Sequence, residues 1–218
     1  MKQSTQVLQT SSKKTRGMVQ TGLFSALIII MAFTPFLGYI PLGFTRATII
    51  HIPVIIGSIL LGPVQGAICG SVFGLTSLIN NTMNPTVTSF VFSPFYSLGK
   101  FSGGFGSLVI CFVPRILVGV VPYYVYRGMK KMHVGNNVSL AVAGVCGSMT
   151  NTLLVMNLIY LFFKNEYAAA QQMDAGKLYD VILAVIGTNG VPEAIVAGII
   201  VTVVTKVLLK SSSVQNSL

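Results

Sequence analysis

Charge is scarce in this chain. Only 8% of its 218 residues are charged, against about 25% in an ordinary soluble domain, and only four of them are acids. Too few polar side chains remain to clothe a water-facing globule, which excludes a soluble domain and a disordered chain. Tryptophan is absent, so any aromatic belt at a membrane interface falls to Tyr and Phe. The three cysteines, Cys69, Cys111 and Cys146, stand alone in apolar runs, so neither a disulfide framework nor a C-x-x-C metal site is indicated. There is no G-x-x-x-x-G-K-[ST] phosphate loop, no H-E-x-x-H and no G-x-S-x-G elbow. Without a phosphate loop the chain cannot power a pump by itself. Glu193 with His51 is a thin acid/base pair for an intramembrane enzyme. No enzyme activity, cofactor or metal is implied, and paired broken helices in two large halves are missing too.

What is present is apolar: 53% hydrophobic residues and a mean hydropathy of +0.79. Fourteen basic residues give a net charge of +10. They lie mostly at the ends and in short loops, where membrane proteins keep cytoplasmic anchors, so they do not indicate nucleic-acid binding. A bilayer core needs about 20 apolar residues per helix. Six segments qualify: Met18–Leu37, Thr45–Leu61, Val64–Asn81, Phe105–Tyr126, Val138–Phe163 and Val181–Leu209. The expectation is an all-α, multi-pass membrane protein with six transmembrane helices. Residues 1–17 read as a polar cytoplasmic tail, 18–210 as one substrate-binding domain, and 211–218 as a disordered tail. The first apolar run has no convincing cleavage site after it and reads as a retained span. Nine basic residues, Lys2, Lys13, Lys14, Arg16, Arg127, Lys130, Lys131, Lys206 and Lys210, fall on the N-terminal side of the membrane. Three of the acids, Glu166, Asp174 and Asp180, fall opposite, so both termini should be cytoplasmic.

The outer loops are unusual. Thr82–Gly104 is rich in Pro, Gly, Ser and Phe and too apolar for a free linker, and Pro35–Phe44 looks like a second ordered loop on that side. Long loops of this kind are often lids, and they suggest a ligand site opening outward. Gly62, Gly66, Gly70 and Gly74 recur at every fourth residue. Small residues at this spacing let helices approach closely, either within the bundle or against a separate subunit. Gly22 and Ala26, with Ser25 alongside, form a similar patch on the first span, where internal packing and partner docking are even readings.

Arg46, His51, Arg115 and Glu193 lie within or at the margins of spans. A charged residue at mid-helix costs about 2.5–3.5 kcal/mol on insertion scales, so such groups face protein or water and have partners. One reading pairs Arg115 with Glu193 as a structural ion pair. The other places one or both in a polar cavity with Arg46 at its mouth. Pro192 removes a backbone donor beside Thr188-Asn189-Gly190, which predicts an unwound patch. Asn80, Asn81, Asn84, Asn151 and Asn157 gather in the outer half, and each needs a hydrogen-bond partner in hydrocarbon. His51, ahead of Pro53 and without nearby metal ligands, reads as structural or interfacial.

The stretch His51-Ile-Pro-Val-Ile-Ile-Gly, the run from Leu60-Leu-Gly-Pro through the glycine ladder to Phe73-Gly-Leu-Thr-Ser-Leu, Phe112-Val-Pro-Arg-Ile-Leu-Val-Gly and Asn189-Gly-Val-Pro-Glu-Ala-Ile-Val-Ala resemble, in order and spacing, the substrate-binding S components of energy-coupling factor (ECF) vitamin transporters. The resemblance spans about Met18 to Lys210. It implies a vitamin-capturing subunit working with a transmembrane coupling protein and two cytoplasmic ATPases. The family's substrate binds at the outer side under the first and third loops, and the subunit topples to release it inward. Gly22 and Ala26 match the position of the family's Ala-x-x-x-Ala docking pattern, departing from it with Gly first.

Pro41-Leu-Gly-Phe-Thr-Arg-Ala-Thr-Ile-Ile-His and Asn80-Asn-Thr-Met-Asn-Pro are most like the pantothenate-type members. That ligand is a small carboxylate with an amide and two hydroxyls. The resemblance therefore implies Arg46 or Arg115 on the carboxylate, Asn81, Asn84 and Asn151 on the polar groups, and Glu193 accepting a hydroxyl or orienting Arg115. Another vitamin, such as folate or a thiamine precursor, would use the same scaffold, and Phe90, Phe92, Phe95 and Tyr96 offer it stacking surface. A non-transport role, as a membrane scaffold or lipid-modifying enzyme, is the reading from a different class.

Overall fold

The computed structural model describes residues 2–34, 38–42 and 45–210, with backbone only for 2–14, 39–47 and 98. It is an all-α membrane protein with two small β-hairpins at one end. Helix α1 runs from Lys2 to Phe33, so the polar N-terminal tail continues the first span as helix rather than ending before it. The hairpin β1 (Tyr39–Leu42) and β2 (Thr45–Thr48) follows, then α2 (His51–Leu61) and α3 (Pro63–Met83). A loop carries a 3-10 turn at Ser89–Val91 and the short pair β3 (Ser97–Leu98) and β4 (Phe101–Ser102). The remaining helices are α4 (Phe105–Val118), α5 (Val121–Lys131), α6 (Asn136–Ala170), α7 (Leu178–Val185) and α8 (Val191–Lys210), with a π turn at Ile186–Gly190. The tail 211–218 lies outside the described residues.

Among the described residues, four helical stretches are long and apolar enough to cross a bilayer: Thr15–Phe33, Phe105–Lys131, Asn136–Ala170 and Leu178–Lys210. The expected second span is shorter than its hydropathy suggests. Thr45–Thr48 is strand rather than helix, paired antiparallel with Arg46 opposite Pro41. Pro53 explains the late start. A proline in the first turn is harmless, since its missing N–H would be unpaired there anyway, but its ring clashes with the carbonyl four residues back. Extension of α2 upstream through Ile49 is thereby blocked. At about 1.5 Å per residue, eleven residues cover only half a bilayer core. In compensation α2 is buried along nearly its whole length, from His51 to Leu60.

Gly62 closes α2 with a left-handed φ of 102° and turns directly into Pro63, the first residue of α3. It is a turn residue, separate from the packing role of the other three ladder glycines. Those pack within the bundle: a Cβ at Gly66 would collide with the Gly119 carbonyl, one at Gly70 with the Arg115 carbonyl, and one at Gly74 would sit 3.0 Å from the Cys111 carbonyl. Helix α3 thus lies backbone to backbone along α4. Helix α6 is the central post, packing on α4, α5 and α8. Along α4 and α5 its register is antiparallel and regular: Gly106 faces Phe162 and Phe163, Ile110 packs with Val155 and Ile159, and Pro122 meets Gly147. Against α8, Gly144 meets Gly198 and Thr152 meets Gly190.

The apolar loop is docked as its composition predicts. Phe90 and Val91 are fully buried, with Phe90 stacked on Phe101 and edge-on to Phe163. The Ser107 hydroxyl donates to the Phe90 carbonyl at 2.7 Å. This loop and the β1–β2 hairpin cap the same end of the bundle, the end opposite Gly62.

Candidate functional site

Among the described residues Arg115 is the most deeply buried cation, only 7% exposed. Its setting follows from the residue before it. Pro114 has no N–H to give the Ile110 carbonyl four residues back, so that acceptor is free inside the helix. The Arg115 guanidinium takes the place of the missing donor, Nη1 to the Ile110 oxygen at 2.6 Å. The side chain therefore folds back one turn toward the loop end, the direction helical side chains lean. There the guanidinium lies between two rings, 5.5 Å from the centroid of Phe73 on α3 and 5.3 Å from that of Phe92 in the docked loop. Cation–π contacts of this kind stabilise a desolvated cation by about 2 kcal/mol, short of the charge compensation a carboxylate supplies. Nε is buried and unpartnered.

Glu193 does not supply that charge. Among the described residues the Arg115–Glu193 ion pair is absent: Glu193 Oε1 instead accepts the Thr48 backbone N–H at 2.6 Å. The last residue of β2 is thereby pinned to the first turn of α8. Arg46 lies two residues upstream on the same strand, but its side chain is outside the described residues. The expected unwound patch before Pro192 is a π turn rather than open chain, with the Val191 N–H reaching the Ile186 carbonyl. Such turns are frequent at functional sites.

The asparagines divide. Asn81 serves the loop: its amide donates to the Ser77 carbonyl and its oxygen accepts from Ser89, which in turn receives the Thr86 N–H. Asn84 is exposed and bonded to Asn80, and Asn157 is exposed and bonded back to Leu153. Asn151 is 9% exposed, on the stripe of α6 that faces the bundle, and its Oδ1 has no partner. Ser148, one turn away, is fully buried with an unpartnered hydroxyl. His51, expected to be structural or interfacial, is a further buried polar group. His51 is 1% exposed; its ring lies beside the Thr48 backbone, and neither nitrogen completes a hydrogen bond among the described residues. Its place before a helix-starting proline in an apolar run was the available signal.

Gly22 and Ala26 are on the exposed face of α1, with nothing within 4 Å of a Cβ at Gly22, and Ser25 is half-buried. Exposed Met18, Val19, Leu23 and Ile30 surround them.

Buried polar groups are normally hydrogen-bonded. A bundle with an unneutralised guanidinium, an unpartnered amide oxygen and an imidazole with only the Thr48 backbone beside it has the makings of a membrane-embedded receptor for a small polar anion. The comparisons identify the family: residues 16–205 match the family of ECF transporter substrate-specific components, and the chain belongs to it. It is 37% identical over 186 residues, 85% of this chain and 89% of the relative, to the pantothenic acid transporter PanT of Lactococcus lactis subsp. cremoris. It is 28% identical over 210 residues, 91% of this chain and 95% of the relative, to the pantothenate transporter PanT of Leuconostoc mesenteroides subsp. mesenteroides.

Proposed function

We propose that the chain captures pantothenate from outside the cell as the S component of an ECF importer. It would deliver the vitamin inward with a transmembrane coupling protein and two cytoplasmic ATPases. The carrying observation is Arg115: a buried cation without a carboxylate partner, held between Phe73 and Phe92 with Nε free. A ligand carboxylate is the complement that this site lacks, and a charge-assisted pair with Arg is directional. Pantothenate supplies one carboxylate, one amide and two hydroxyls, and both relatives named above are pantothenate transporters. Arg46, on the hairpin strand above, is the second cation proposed for the carboxylate. Asn151 serves the polar groups, Asn81 braces the loop above them through Ser89, Asn84 stands exposed at the start of that loop and bonded to Asn80, and Glu193 holds the hairpin or accepts a hydroxyl.

In this reading α2 and α3 complete a six-span bundle and both termini are cytoplasmic, since most basic residues then face inward. Helix α2 spans together with the hairpin above it. Gly22, Ser25 and Ala26 on the open face of α1 form the docking patch for the coupling protein.

The test is binding of radiolabelled pantothenate to purified protein in lipid nanodiscs, competed with unlabelled pantothenate, folate, thiamine and a thiamine precursor. Displacement by pantothenate alone is the expected result. Displacement by another vitamin would reassign the substrate, and absence of binding by any would remove the transport reading.

A further inference from the structure

The geometry points to a second recognition layer, built from His51, Ser148 and Asn151, that reads the hydroxyl-bearing end of the ligand about two helical turns below the Arg115 guanidinium. The inference rests on the proposed pantothenate reading and extends it to a residue which that reading does not use.

Three buried side chains carry it. Ser148 Oγ and Asn151 Oδ1 have no partner among the described residues, and the His51 nitrogens have only the Thr48 backbone beside them, without a completed hydrogen bond. Leaving such a group unsatisfied costs about 1–3 kcal/mol; Ser58 Oγ and Thr205 Oγ1 are unpartnered singly toward the other end of the bundle, whereas three groups gathered at one depth point to a polar guest. Their common depth follows from packing. Ile55 on α2 meets Gly147 on α6, and with the two helices running in opposite directions His51 comes level with Asn151, one turn nearer the loops. An independent contact agrees. Thr48 is pinned to Glu193 on α8, and the Gly190–Thr152 and Gly198–Gly144 contacts set α8 against α6, which returns His51 to the same level. Arg115 reaches the other way. The Pro122–Gly147 and Gly106–Phe163 contacts place its Cα about one turn above Asn151, and its bond to the Ile110 carbonyl carries the guanidinium a further turn up.

Two turns of helix span about 11 Å. An extended pantothenate measures about the same from carboxylate to terminal hydroxyl, counting backbone bonds of about 1.5 Å. The chemistry matches the spacing. Arg115 is donor-only and suits the carboxylate. Imidazole, amide and hydroxyl each both donate and accept, as a hydroxyl or amide guest requires. A site that hydrogen-bonds a hydroxyl rejects the analogue lacking it, because its own groups are then left unpaired.

The experiment measures dissociation constants of the nanodisc protein for three ligands: pantothenate, its analogue lacking the terminal hydroxyl, and pantothenol, in which an alcohol replaces the carboxylate. The wild type should prefer pantothenate to the deoxy analogue by about ten-fold or more. His51→Leu should abolish that preference while keeping the preference for pantothenate over pantothenol. His51→Gln, which restores a donor and an acceptor, should regain part of it and serves where the leucine variant does not fold. Retention of the full hydroxyl preference in a folded His51 variant, or its absence in the wild type, would overturn the layer and leave pantothenate binding standing. Failure of the wild type to bind pantothenate would overturn the functional reading and this inference together.

Discussion

Pro114 acts on Arg115 through a single missing hydrogen. By leaving the Ile110 carbonyl unsatisfied it creates an acceptor inside an apolar helix, and the adjacent guanidinium fills it. The proline thus aims the cation toward Phe92 and the loop. Replacing it with alanine restores the i to i−4 bond and releases Nη1. Pro114→Ala should therefore raise the unfolding temperature of the protein by a few degrees, since an interior proline costs about 3 kcal/mol. It should also weaken pantothenate binding several-fold, which calorimetry on the nanodisc protein would show. A stabilised variant with unchanged affinity would mean that the carbonyl does not aim the side chain.

Among the elements, what could be read in advance was whatever depends on a helical period or on composition. The spacing of Gly66, Gly70 and Gly74 indicated close helix packing, and their backbones lie on Gly119, just past the end of α4, and on Arg115 and Cys111 within it. The aromatic, glycine-rich loop was legible as an ordered cap, and Phe90 is fully buried in it. The β1–β2 hairpin was not legible as strand. Thr45–Thr48 runs straight into the apolar sequence of α2, and only the position of Pro53 marks where that helix can begin. Partner choice was hidden as well. Arg115 and Glu193 are matched singletons in sequence, but backbone groups, the Ile110 carbonyl and the Thr48 N–H, take the two side chains separately. His51 was legible only as structural or interfacial, because its setting depends on α2 lying against α6, a contact between residues far apart in the chain.

At the scale of the molecule, the docked loop brings Phe92 over Arg115 at one end of the bundle, while α1 leaves a broad apolar face open along its side, with Gly22 and Ala26 in it. Small residues on an exposed helix face permit close approach of a partner helix in lipid. Phenylalanine at both positions, Gly22→Phe with Ala26→Phe, should leave pantothenate affinity within about two-fold. The same double variant should lose the ATP-binding subunits that accompany the wild type when it is extracted gently from its native membrane. Full recovery of those subunits with the double variant would place the docking surface elsewhere.

The account turns on a buried guanidinium awaiting a carboxylate, and titration calorimetry of wild type and Arg115→Gln with pantothenate and with neutral pantothenol addresses it most directly. A lost charge-assisted bond at a buried site corresponds to about 1.5–3 kcal/mol, so Arg115→Gln should bind pantothenate roughly ten- to a hundred-fold more weakly and no longer distinguish it from the alcohol. If folded Arg115→Gln binds pantothenate as the wild type does and still prefers it to pantothenol, the carboxylate is held elsewhere and the central claim fails.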